Sequence, residues 1–200
     1  MANVNAPFGF RPVGDLSAAP YNGKVNIYTV PASDSTAIYI GDPVVDVGTS
    51  TLNADGTYTK DVAKAATTDV ITGVVVGVMP DLSATGAGAN STIYRAASTL
   101  RKLLVVDDPN ALFEMQEIST GTALTGDDIG LNVSFAAGTP STATGRSGAV
   151  INNATEATTN TLALKIVGAS PRPGNVVGDG ATVFIVRINR HRYVDQLAGV

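Results

Sequence analysis

No window of eleven or more residues in this chain carries an apolar stripe at helical spacing, and that absence constrains the fold more than any motif does. Short apolar runs recur instead, each closed by a turn signal. Residues 111–118 alternate cleanly, with Phe113 and Met115 opposing Glu114 and Gln116. Leu162, Leu164 and Ile166 share one face of a segment at 161–167, as Phe184, Val186 and Ile188 do at 181–188. Residues 70–79 are apolar on both faces, Val74, Val76 and Val78 on one and Ile71, Val75 and Met79 on the other, which reads as a central strand buried on both sides. Gly73 and Gly77 fall on the second face, where something must pack closely. Further strands are expected at 25–30, 36–40, 44–47, 58–64, 92–96 and 101–106, with turns at Asn53-Ala54-Asp55-Gly56 and Asp107-Asp108-Pro109-Asn110. Strands at this spacing indicate an all-β fold, an antiparallel β-sandwich or barrel. At most one helical turn is expected at Asp127/Asp128 and another at 60–66.

Composition agrees. Fourteen Asp stand against three Glu, and Thr, Gly and Ala are abundant where the Lys and Glu of exposed helices are scarce. Two hundred residues can bury a sizeable core, but with no Trp and 6% aromatics it must be built from Val, Ile, Leu and Ala. There is no Cys, so neither a disulfide nor a thiolate site can staple the fold. A formal net charge of −4 gives no general reason to bind nucleic acid, whose backbone demands clustered Lys and Arg. The first residues lack a basic region followed by an apolar one, and 70–79 is too short to span a bilayer. A protein made in a cytoplasm, with no membrane partner, is the expectation.

Candidate chemistry is sparse. The single His191 ends the last strand in Arg187-Ile188-Asn189-Arg190-His191-Arg192, where a structural hydrogen bond or a surface contact outranks catalysis or metal binding. Gly145-Arg146-Ser147-Gly148 lacks the final glycine of a nucleophile elbow and reads as a turn. Gly86-Ala87-Gly88 lacks the third glycine of a dinucleotide fingerprint, and Asn53, Asp55 and Gly56 lack the spacing and closing Glu of a calcium loop. Asp107/Asp108 and Asp127/Asp128 are adjacent pairs, and paired-carboxylate catalysis needs convergence from separate elements. The expectation is a non-enzymatic protein with no catalytic residue, metal or cofactor.

Two features rank higher. Residues 1–22 carry Pro7, Pro12 and Pro20 without strand or helix period and read as an extended N-terminal arm ahead of a β-rich body at 23–200, which divides, if it holds two subdomains, near 107–110. Ordering a dozen arm residues costs about 1–2 kcal/mol each, whereas burying Phe8 and Phe10 returns only about 1.5–3 kcal/mol apiece. The arm should therefore order on its own body only with extra backbone pairing, and a neighbour could supply that by strand addition. The second feature is the C-terminal cluster of Arg187, Arg190 and Arg192, a solvated strand end or a surface for an acidic partner. Strand alternation would put Arg190 and Arg192 on the face of Val186 and Ile188. The candidate interface residues are thus Pro7, Phe8, Phe10, Arg11, Arg187, Arg190, Arg192 and Tyr193. The stretch at 136–160 has few apolar anchors and reads as an exposed excursion.

Three stretches resemble bacteriophage virion proteins of the capsid cement and head-decoration type. They are Asn5-Ala6-Pro7-Phe8-Gly9-Phe10-Arg11-Pro12, then Tyr39-Ile40-Gly41-Asp42-Pro43-Val44 together with Ile71-Thr72-Gly73-Val74-Val75-Val76-Gly77-Val78, and Val186-Arg187-Ile188-Asn189-Arg190-His191. The resemblance implies a β-rich dimer or trimer on the exterior of an icosahedral shell, clamping adjacent subunits of the major capsid protein. A tail, fibre or adsorption component binding a host glycan is the alternative from the same particle, although few aromatics are present for sugar stacking.

Overall fold

The computed structural model describes residues 3–80 and 93–194. Thirteen strands run through it in chain order. They begin with β1 (Arg11–Asp15), β2 (Asn26–Val30), β3 (Ile38–Tyr39), β4 (Pro43–Leu52) and β5 (Tyr58–Lys64). Next come β6 (Gly73–Val78), β7 (Tyr94–Arg95), β8 (Arg101–Val106) and β9 (Ala111–Gln116). The last are β10 (Asn132–Ala136), β11 (Val150–Ala157), β12 (Leu164–Ala169) and β13 (Val183–Ile188). The fold is all-β, the one helical turn among the described residues being a 3-10 turn at Gly126–Asp128 capped by Thr125. Residues 60–66 extend as part of β5 instead of forming a helical turn. The sequence motif Gly86-Ala87-Gly88 and the start of the segment expected at 92–96 lie outside the described residues.

Strands β2, β5, β4, β6 and β8 close into a barrel, while β1, β9, β13, β12, β10 and β11 form a six-stranded sheet in that order. The Asp107–Asn110 turn links the last barrel strand to β9. All pairings of the large sheet's strands are antiparallel; in the barrel, the contact between β2 and β5 is parallel. The sheet lays its inner face against one wall of the barrel. Phe113, Met115, Val133, Phe135, Leu164, Ile166, Phe184, Val186 and Ile188 meet Ala65, Ile71, Val74 and Val106 in one core. A second core, including Tyr28, Val30, Val62, Val75 and Leu103, fills the barrel.

β6 serves both cores, as a strand apolar on both faces should. A bulge between Val75 and Gly77 shifts its alternation, so Val78 joins Val75 inside the barrel instead of staying with Val74. Gly73 is where β6 packs closest on its neighbour: a Cβ there would lie 2.4 Å from the Val106 carbonyl oxygen.

The stretch at 136–160 is not an exposed excursion. β11 pairs with β10, and Ala149, Val150 and Ile151 are buried. Ser147 anchors the loop before it, donating to the Asp42 carboxylate at 2.5 Å and accepting from Ala149 N–H at 3.0 Å. Small residues without apolar patterning hide such a segment from sequence reading, because it is held by polar contacts and backbone pairing.

The N-terminal arm is a strap bound to its own body. Its missing backbone pairing is supplied by β9, which β1 joins as the sheet's edge strand. Phe10 N–H donates to Gly41 at 3.0 Å, and the ring is 2% exposed, edge-on to Phe113 and Phe135 at 5.9 Å from each. Phe10 is therefore a core residue, not an anchor for a partner. Gly9 makes the crossing possible. It sits at φ +73°, and a Cβ would come 2.6 Å from both the Gly41 carbonyl oxygen and Ser147 Cβ. Further out, Asn3 Nδ2 donates to the Val176 and Asp179 carbonyls, and Gln116 clips the strap by accepting from Ala6 N–H and donating to the Val4 carbonyl.

Phe10→Ala should lower unfolding stability by about 3–5 kcal/mol, read as a shifted denaturation midpoint. Pro7→Ala, on the exposed part of the strap, should change it by less than about 0.5 kcal/mol.

Candidate functional site

The inner face of the large sheet is consumed by the core, so its chemistry lies on the outer face. Along β9 the outward residues are Leu112, Glu114 and Gln116; along β13 they are Ile185 and Arg187; on β12, Lys165 points the same way. Registry then brings distant residues into rows. Arg11 faces Glu114, which faces Ile185, and in the next row Leu112 faces Arg187, which faces Lys165. Arg11 and Arg187, at opposite ends of the sequence, thus share one face. Lys165, in this second row, and Arg172, from the loop after β12, join them; sequence reading missed both.

Arg11 and Arg172 converge on one carboxylate. Glu114 is buried and takes Arg11, Arg172 at 2.7 Å, and the Ser170 hydroxyl. Burial pushes its pKa up, but the Ser170 hydroxyl and the two guanidinium groups outweigh that and hold it below the usual carboxylate range. Half-buried Phe8 lies against both guanidiniums, each 5.3 Å from the ring centroid. Pro7 is exposed beside it. The second row has no such carboxylate. Arg187 Nε donates to the Pro109 carbonyl and Lys165 Nζ to the Gly130 carbonyl, both at 3.0 Å. Asp15, the carboxylate of β1, is folded into its own turn by Ser17 and Ala19.

Arg190 and Arg192 do not continue β13. The strand ends at Ile188, where alternation would have driven the next arginines toward the core, and the chain turns away: Asn189 and Arg190 N–H both donate to the Ala163 carbonyl. The segment then bridges to the barrel, with Ile71 N–H donating to Arg190 and Arg192 N–H to Ile71. Arg190 donates to the Thr68 carbonyl at 2.6 Å, on neither the face nor the row of Arg187. Tyr193 is 51% exposed, but its hydroxyl meets that of Tyr28 at 2.9 Å, and Tyr28 donates to Asp107.

The other chemical candidates are structural. Ser147 is 2% exposed and bonded to Asp42, which also takes Lys64 at 2.9 Å. Asp107 binds Asn26 and Tyr28, Asp108 caps its own turn, and Asp128 caps the 3-10 turn. The Glu117 carboxyl, raised by burial, is fully buried and accepts Leu124 and Thr182 N–H. Arg95, also fully buried, donates to the carbonyls of Pro31, Asp34, Thr36 and Thr99, knitting the loops beside the β3–β7 pair. Among the described residues no group of three His, Cys, Asp or Glu side chains could hold a metal ion.

No protein-family model matches the chain, and neither a curated protein nor a solved structure matches it.

His191 is 1% exposed, with Nδ1 accepting from Tyr193 N–H at 3.1 Å. Burial, with Arg187 adding to it against Asp107 and Asp108, lowers its pKa to about 4. Unfolded, the imidazole would take its proton near pH 6.5. Between those values the unfolded chain binds more protons, so stability present above pH 6.5 drains away as pH falls toward 4, by about 2–3 kcal/mol. Chemical denaturation across that window should show the slope in the native protein and a much flatter profile in His191→Gln.

Proposed function

We propose that this chain is a non-enzymatic virion structural protein that binds the outer surface of an icosahedral phage capsid and stabilises it by clamping adjacent major capsid subunits. One observation carries the reading beyond the sequence resemblance. An acidic chain has gathered Arg11, Arg172, Arg187 and Lys165 on one outward sheet face around half-buried Leu112 and Ile185. An outward β face of this kind suits contact with a protein surface better than enclosure of a small substrate.

The partner in this reading is the major capsid protein, and the working form is a dimer or trimer. Repetition on a lattice makes modest contacts sufficient, because each further subunit engaged binds at high effective concentration. The N-terminal strap fits the task in a different way from a free arm. It positions Phe8 and Arg11 at the edge of the contact face and keeps Phe10 for the core.

Quantifying this protein against the major capsid protein in purified particles that carry it tests the proposal. A simple-fraction ratio, amounting to hundreds of copies per particle, is expected. A handful of copies would move the protein to the tail or portal region and end the capsid-surface reading.

A further inference from the structure

Lys165 and Arg187 sit directly opposite each other across β12 and β13. Like charges in directly opposed positions destabilise a sheet. The residues that continue this row, Leu112 beyond Arg187 and Asn132 beyond Lys165, are both neutral. Among the described residues neither cation forms an ion pair; each instead reaches a backbone carbonyl. The adjacent row is built differently, since there Glu114 neutralises one of its two arginines and fixes both. The outer face thus holds a cation pair with no internal reason to be paired, beside Leu112, Ile185 and the 37%-exposed Val167.

We propose that the Lys165–Arg187 pair, flanked by Arg11 and Arg172, is the docking site for an acidic protein surface, with a partner carboxylate seated between the two opposed cations. The inference rests on the capsid-surface reading and specifies the chemistry of its contact. A carboxylate there converts a repulsion into two charge-assisted contacts, and the arginine fork matches its geometry. The apolar residues alongside supply area that water leaves on docking. Nucleic acid fits less well. Its backbone rewards many cations along a track, and this chain has a net charge of −4 with only four cations grouped here.

Lys165→Glu would separate this role from a structural one. The introduced carboxylate would face Arg187, relieving the repulsion, so Tm should hold or rise by up to about 3 °C. Binding to particles stripped of the protein should weaken at least about tenfold, the loss expected for one broken charge-assisted contact. Lys24→Glu, the same charge change at an exposed site off the face, should bind as the native protein does. Should Lys165→Glu fold poorly, Lys165→Met, which keeps the apolar stem, should show the same loss of binding.

Native protein that binds stripped particles while Lys165→Glu binds equally well overturns the docking site and leaves the capsid reading standing. Native protein that fails to bind them overturns the capsid reading, and immobilised poly-L-glutamate then tests the site alone. Retention of the native chain with release of Lys165→Glu supports the site, and retention of neither overturns it. Stronger retention on double-stranded DNA than on poly-L-glutamate overturns the assignment to a protein partner.

Discussion

Both halves of the molecule depend on β6. Val75 and Val78 turn into the barrel, Val74 faces the sheet, and the bulge between Val75 and Gly77 lets one short strand do both. Gly73 brings the backbone within contact of Val106 and the following turn, where any side chain would hold the two apart. Without that close wall the inner face of the sheet would have nothing to cover it, and a chain lacking cysteine has no covalent alternative.

The rest of the architecture is pinned to that wall by chain crossings. Gly41 N–H donates to Val75, and Val75 N–H to Asp42, while Phe10 N–H reaches Gly41 and Ser147 N–H reaches Ile40. The strap, the turn before β4 and the loop before β11 therefore meet at one place, where Gly9 and Gly41 leave room for backbone against backbone. At the opposite end of the chain, Ile71 is clasped by Arg190 and Arg192. The short motifs that carry the phage resemblance are these junctions, so their glycines and turns describe how the fold closes.

The outer face follows from this arrangement. Once the core takes Phe113, Met115, Phe184 and Val186, alternation obliges Glu114, Ile185 and Arg187 to point outward. Their grouping with cations from other elements comes from which strands lie side by side. β1 reaches β9 across almost a hundred residues, and β12 brings Lys165 against Arg187.

By itself the sequence determined the all-β character, most strand positions and the two-sided burial of 70–79, because these follow from local alternation and turn chemistry. The segment at 58–64 and that at 101–106 emerged with the bounds their patterns indicate. It could not determine that residues 11–15 form an edge strand, that Phe10 lies in the core, or that 150–157 pairs in the sheet, since each is stabilised by partners far along the chain. Arg187 and Arg190 belong to one cluster along the chain, with alternation putting them on opposite strand faces, and the end of β13 at Ile188 takes Arg190 out of the strand altogether. Lys165 and Arg172 looked like ordinary surface residues, because a cationic face assembled from four elements has no signature in any one of them. Local periodicity is written along the chain; strand order and register are long-range, and they alone decide which charges meet.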